Sequence, residues 1–140
     1  MNIRNLILSV ALVLTFGFSK AQTNASWKPL WLSTTNMFKG VEGFFQISAC
    51  NGTDMVLIKL INHNNFSINS KWKALVITQD GQQHTGKNAQ DSLVLAPNSE
   101  LDGDCSGSKA QLAIKLSDFG TNEGNFKAFM ASGFDFEIIH

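Results

Sequence analysis

The chain has no tyrosine, only two prolines and two cysteines, and few charges, since charged residues make up 16% of its 140 positions. Basic and acidic residues balance at 11 each. Proteins that bind nucleic acid or anionic lipid electrostatically need a basic excess, so we expect neither as a partner. After residue 21 there is also no apolar run long enough to cross a bilayer, so we expect no direct membrane span beyond that point.

The first 21 residues have the pattern of a secretory signal peptide. Arg4 supplies the positive start, residues 6–18 form an apolar stretch, and Ser19 and Ala21 are the small residues of a cleavage site before Gln22. We therefore expect residues 1–21 to be removed and 22–140 to be exported to the periplasm, cell surface or exterior. That mature segment carries nine basic and eleven acidic side chains, a formal charge of −2.

A mature segment of 119 residues has the length of one domain. It contains both cysteines, Cys50 and Cys105, and two cysteines in an exported chain usually form one disulfide. We expect that bond here, with two unpaired thiols as the alternative. It would close a long loop and contribute up to about 4 kcal/mol of stability.

Apolar residues alternate with polar ones at a period of two along the whole chain, and no long helical period appears. Turn signals such as Asn51-Gly52 and Asp80-Gly81 separate the alternating segments. The polar stretch 82–91 reads as a long hairpin tip, and Pro29 restricts residues 27–32 to an edge strand. About eight short strands are predicted, which is typical of an antiparallel β-sandwich. The strand segments are 27–32, 44–50, 56–61, 71–77, 93–95, 112–117, 126–130 and 134–139.

The alternation also predicts the core, because one set of every second residue faces inward. The residues expected to be largely buried are Trp72, Val76, Ile58, Leu60, Ile47 and Ile114.

No catalytic motif is complete. Residues 81–88 approach a phosphate-binding loop, but Asn88 stands where Ser or Thr is needed and an apolar strand pattern follows instead of a helix. His63, His84 and His140 lack the spacing of zinc ligands. We therefore expect no enzyme activity and no cofactor.

The acidic turn at residues 98–104 resembles the first half of a calcium loop. The closing position, which should be a bidentate glutamate, is Lys109. A looser oxygen site built from Glu100, Asp102 and Asp104 is the alternative to a simple solvated turn.

The three tryptophans raise a second function class. Trp27 and Trp31 lie near the start of the mature segment, where exposed rings could stack on sugars, whereas Trp72 fits a core position. A carbohydrate-binding module predicts exposed coplanar tryptophans and is the alternative function.

The motif Asp91-Ser92-Leu93 matches a short O-glycosylation signal of some exported bacterial proteins. Three residues match often by chance, so the sequence leaves open whether Ser92 carries a glycan.

Three segments, 50–65, 95–105 and 134–139, resemble a pattern in a group of small, uncharacterised exported bacterial proteins. The resemblance spans most of residues 40–139. It implies an immunoglobulin-like or fibronectin-like sandwich tied by Cys50–Cys105, and it implies no activity.

An export signal and a complete sandwich pattern without a catalytic set favour a non-enzymatic protein that acts through protein–protein contact. The expected partner is a protein, with an outer-membrane or surface complex as one candidate. Edge strands are the expected contact surface, because their unpaired backbone groups can accept a partner strand.

Overall fold

The computed structural model describes residues 26–32 and 40–139, and within them the chain forms two antiparallel β-sheets and no α-helix. This confirms the all-β sandwich expected from the alternation. The expected signal peptide, residues 1–21, and His140 lie outside the described residues. The strands are β1 (Lys28–Leu32), β2 (Val41–Cys50), β3 (Thr53–Asn62), β4 (Ser67–Thr78), β5 (Gln83–Leu95), β6 (Ser99–Asp102), β7 (Ala113–Lys115) and β8 (Phe126–Ile139).

The larger sheet has the strand order β1-β2-β3-β6, and β7 also pairs with β3. The turn Asn51-Gly52 joins β2 to β3 with Cys50 opposite Thr53, and both turn residues have positive φ angles (51° and 78°). Asn-Gly tolerates that backbone conformation, so these two residues set the register of the hairpin. The ten residues of β2 then pair with β3 without interruption.

Strand β1 lies at the edge of the larger sheet, as the proline predicts. Its pairing with β2 shifts register between Pro29 and Trp31. Pro29 donates no hydrogen bond, so an edge position next to an irregularity is where a sheet can accommodate it.

The smaller sheet has the order β5-β4-β8 and differs from the sequence interpretation in two places. Strand β5 begins at Gln83, so the hairpin tip is short and the prediction of a long tip over 82–91 was wrong. These polar residues lie on an edge strand, where no continuous apolar stripe is needed. Lys73 of β4 pairs with Gln90 of β5, and Leu75 pairs with Thr85. The residues of β5 between Thr85 and Gln90 outnumber those of β4 and form a bulge.

The second difference concerns the C-terminal strands. The segments 126–130 and 134–139 form one fourteen-residue strand, β8, and are not separate strands divided at Gly133. Lys71 of β4 pairs with Asp135 and Lys73 pairs with Ser132, so β8 uses three residue steps where β4 uses two. One extra residue is therefore bulged near Gly133, and a bulge bends a strand without ending it.

The segment 112–117 is also less regular than predicted. Only Ala113–Lys115 is strand, and 3₁₀ turns lie on both sides, at Ala110–Leu112 and Leu116–Phe119. Leu112 and Leu116 are nevertheless fully buried. The predicted core residue of this segment, Ile114, is only partly buried, because the short 3₁₀ turns direct Leu112 and Leu116 into the core instead.

The core lies between the two sheets. Trp72, Val76, Ile58 and Leu60 are at most 3% exposed, as predicted. Ile47 and Ile114 are only partly buried and pack against the periphery of this core.

Cys50 and Cys105 form the expected disulfide, with their Cα atoms 5.2 Å apart. The bond joins the end of β2 to the loop after β6. It closes a segment of 55 residues that contains β3, β4, β5 and β6.

Gly103 is buried at the start of that loop. Its N–H donates to the carbonyl of Ile58 at 2.8 Å, and a Cβ added to it would lie 1.9 Å from the carbonyl oxygen of Leu112. Only glycine permits this close approach of two backbone segments.

None of the helical segments in the described residues is long and apolar enough to cross a membrane.

Candidate functional site

The densest group of polar side chains lies on the outer face of the larger sheet, around Lys59. Lys59 alternates with the core residues Ile58 and Leu60, so it points away from the core. Strand β6 pairs with β3 so that Asp102 lies opposite Lys59. The sheet register therefore brings acidic side chains of β6 to a lysine far away in sequence.

The Lys59 ammonium has three neighbours. Its Nζ atom lies 2.6 Å from Oε1 of Glu100 and 3.3 Å from Oδ2 of Asp102. It also lies 5.1 Å from the centroid of the Trp27 ring, within range of a cation–π contact. The Lys59 side chain is 18% exposed, so much of its length is covered.

Hydrogen bonding sets the ionisation of this group. The hydrogen bond to Glu100 raises the pKa of Lys59, and it outweighs the opposing effect of desolvation. The same hydrogen bond lowers the pKa of the Glu100 carboxyl. Both residues are therefore held in their charged forms, and the group is an ion-pair network whose charges are already matched.

The outer face near Lys59 is also packed. Leu57 lies on the same face as Lys59, yet it is only 4% exposed and is not part of the core between the sheets. A buried leucine and a lysine whose charge is compensated describe a structural cluster better than a vacant binding site.

The acidic residues of the calcium interpretation do not converge. Glu100 and Asp102 face Lys59, whereas Asp104 accepts hydrogen bonds from the N–H and the hydroxyl of Ser106. Within residues 26–32 and 40–139 there is no group of three or more His, Cys, Asp or Glu side chains arranged to hold a metal ion.

A shallow cleft of about 190 Å³ lies beside the cluster. Its lining comprises Ile61, Asn62, His63, Asn98, Ser99 and Glu100. At its rim, Nε2 of His63 lies 3.1 Å from Oε2 of Glu42. This pair is exposed, and the second described histidine, His84, lies on β5 in the other sheet.

The near phosphate-binding loop forms no phosphate cradle. From Gln83 onward its residues belong to strand β5, where a phosphate loop would need a helix N-terminus. On the same strand Ser92 is exposed and lies opposite Lys71 of β4, so the glycosylation motif is on a surface.

The tryptophans do not form a pair of exposed platforms in the described part of the chain. Trp72 is 3% exposed, in the core. Trp27 is half-buried, with Lys59 over its ring. Trp31 lies on β1, but its side chain is not among those that the structure describes.

The other notable surface is the free edge of the smaller sheet at β8. The described residues contain four large hydrophobic side chains that are more than 40% exposed, and three of them lie on this strand. They are Met130 (44%), Ile138 (43%) and Ile139 (42%), and the fourth is Val94 (53%) on β5.

The remaining sheet edges are poorer templates for strand pairing. Strand β1 contains a proline and an irregularity, and β6 and β7 have four and three residues. Strand β5 carries several extra residues between Thr85 and Gln90, a larger interruption than the single-residue bulges of β8. Strand β8 has fourteen residues and pairs only with β4 among the described strands. It is therefore the longest available edge in the described structure. The sequence analysis named edge strands in general as the contact surface. It divided β8 into two short strands at Gly133 and therefore did not predict this long edge.

No family model, curated protein or solved structure matches this chain.

Proposed function

We propose that this protein is an exported, non-enzymatic β-sandwich that acts by contact with a protein partner, with β8 as the contact surface. The observation that carries the proposal is the concentration of exposed apolar side chains on one edge strand. A partner strand that pairs with β8 would satisfy its backbone groups and would also cover these side chains.

The chemistry of the other surface supports the same choice. The Lys59 network uses its charges internally, and the two described histidines lie apart, with His63 following β3 and His84 on β5 of the other sheet. A binding role needs no catalytic set, and the polar cleft beside His63 is shallow, with the His63–Glu42 pair at its rim exposed to solvent.

The test is capture of partners from the native host by the exported protein carrying a C-terminal tag. Met130→Lys and Ile139→Lys place charges on the exposed face of β8, and both should abolish capture. Val94→Lys is the matched control, because it charges an equally exposed apolar residue on another strand. Equal capture by all three variants would contradict the proposal, provided that circular dichroism shows each to be folded.

Carbohydrate binding is the second candidate, supported by the half-exposed Trp27 ring, which lies 5.1 Å from the ammonium of Lys59. It predicts binding to a glycan panel that Trp27→Ala abolishes and Met130→Lys leaves unchanged. The two variants therefore separate the two candidates.

A further inference from the structure

Strand β8 carries two exposed charges of opposite sign. Lys127 lies near its start and Asp135 towards its end, and both side chains are exposed. Neither takes part in an ion pair within the described residues, whereas the other acidic residue of the strand, Glu137, lies 3.8 Å from Lys71. Along β8 itself the charge is therefore basic near one end and acidic near the other, with Lys71 of β4 directly opposite Asp135.

We propose that β8 pairs with β8 of a second copy of this chain, antiparallel and about a twofold axis, so that the two smaller sheets join into one six-stranded sheet. This rests on the proposed function, because it names the partner of the same edge. An antiparallel copy places the basic end of each strand opposite the acidic end of the other, which is the charge complementarity that a twofold interface requires.

One register brings the opposite charges to the same level of the sheet and matches the core-facing residues at the two ends of the paired segment. With Ala131 of each copy on the axis, Lys127 lies opposite Asp135 and Phe126 lies opposite Phe136. Phe126 and Phe136 pair with the buried residues Thr78 and Ser70 of β4, so both belong to the core-facing side. Residues that meet across a continuous sheet must share a face, and this register meets that condition for Phe126 and Phe136. Between them, Thr78 of β4 pairs with Phe126 and Ile77 pairs with Ala128, so Lys127 is a bulged residue of β8 with an exposed side chain.

Of the three exposed apolar residues of β8, Met130 lies inside the paired segment, whereas Ile138 and Ile139 lie beyond it. Met130 lies next to the axis and opposite Ser132 of the second copy, on the outer face. A long edge strand presents a row of unpaired N–H and C=O groups, which can pair with another chain. Main-chain hydrogen bonds between the two copies would satisfy these groups.

The test uses charge reversal and sedimentation velocity. The wild-type protein should be a dimer. Lys127→Asp alone puts two acidic residues opposite each other, and Asp135→Lys alone does the same with two lysines. Each single variant should raise the dimer dissociation constant by about tenfold or more.

An equimolar mixture of the two variants is the decisive measurement. In the heterodimer, the two substituted side chains face each other as an acid–base pair, and the native Asp135 of one variant faces the native Lys127 of the other. Dimers should therefore return to nearly wild-type strength. Lys115→Asp, a reversal on the opposite sheet, is the control and should remain a dimer. Circular dichroism establishes that each variant is folded.

Three outcomes would overturn the self-pairing: a monomeric wild type, single variants that dimerise normally, or a mixture that stays monomeric. Each of these outcomes can be distinguished from a failure of the proposed function. If capture of a different protein still depends on Met130 and Ile139, the contact role stands and only the second copy is excluded as its partner.

Discussion

The side-chain amide of Asn62 donates a hydrogen bond to the main-chain carbonyl of Ala96 at 2.9 Å, and so joins β3 of one sheet to the chain leaving β5 of the other. The same amide group reaches the carbonyls of Phe66 at 3.0 Å and Leu95 at 3.4 Å. Its oxygen accepts from the backbone N–H and the side chain of Asn64. With 1% of its surface exposed, Asn62 is a buried polar connection between the sheets whose hydrogen bonds are made.

Replacing Asn62 with alanine should therefore lower the free energy of unfolding by about 2–3 kcal/mol, because buried carbonyls lose their donor. Denaturant unfolding measures the change. Asn65→Ala, an exposed asparagine of the same turn, is the control and should stay within about 0.5 kcal/mol of wild type. A similar loss in both variants would contradict the role of the buried amide.

The disulfide should be formed in protein purified from an oxidising compartment. Replacing Cys50 and Cys105 together with serine should lower stability by about 2–4 kcal/mol, because the unfolded chain regains the freedom of a long loop. The fold should persist at low temperature. Full labelling of both thiols in denatured, non-reduced protein would contradict the bond.

The core assignment predicts a large cost for Ile58→Ala, about 2–5 kcal/mol, because the side chain is 1% exposed and leaves a cavity. Val94→Ala removes an apolar side chain that is 53% exposed and should cost little. Thermal and denaturant unfolding of the pair give the comparison. Equal costs would mean that the faces of β3 are assigned the wrong way round.

Gly103→Ala should destabilise the protein by about 3 kcal/mol, since the new methyl group would meet the backbone of Leu112 at an impossible distance. Gly124→Ala is the matched control, because its nearest contact is a side-chain oxygen of Asn122 at 3.3 Å. Chemical denaturation should rank the two variants clearly. A tolerated Gly103→Ala would show that the loop after β6 can move away from Leu112.

The Lys59 network predicts a pH effect that can be assigned to one carboxyl. The pKa of Glu100 is lowered in the folded state, so its contribution to stability is present above its unfolded pKa and is lost as pH falls through the folded value. Lys59→Met should raise the Glu100 pKa, as measured by NMR titration of the carboxyl carbon. Lys71→Met is the control and should leave that midpoint unchanged.

Much of this architecture follows from local patterns, and its exceptions have local reasons. Asn51-Gly52 predicted a hairpin correctly because the turn geometry and the register are set by adjacent residues. The start of β5 at Gln83 escaped detection because an edge strand with polar residues shows no apolar period. The division of β8 at Gly133 was wrong because glycine also permits a bulge.

The candidate surfaces were less predictable than the fold. The meeting of Lys59 with Glu100 and Asp102 depends on the register between β3 and β6, which no local pattern specifies. Likewise, the exposure of Met130 depends on which strands lie beside β8. Pairing between distant strands decides both the Lys59 contacts and the exposure of Met130. The sequence alone therefore indicates the kinds of residue involved but not how they are arranged.

The position of the disulfide has a consequence for protease resistance. The turn at Asp80-Gly81, which is exposed, lies between Cys50 and Cys105, so a cut there leaves both fragments covalently attached. Such a nicked molecule would remain one covalent species in denaturing electrophoresis until a reducing agent separated it into two pieces. A cut in the exposed segment around Gly124 lies outside the bonded loop and would release β8, and with it the contact edge, as a free peptide once the sheet opened.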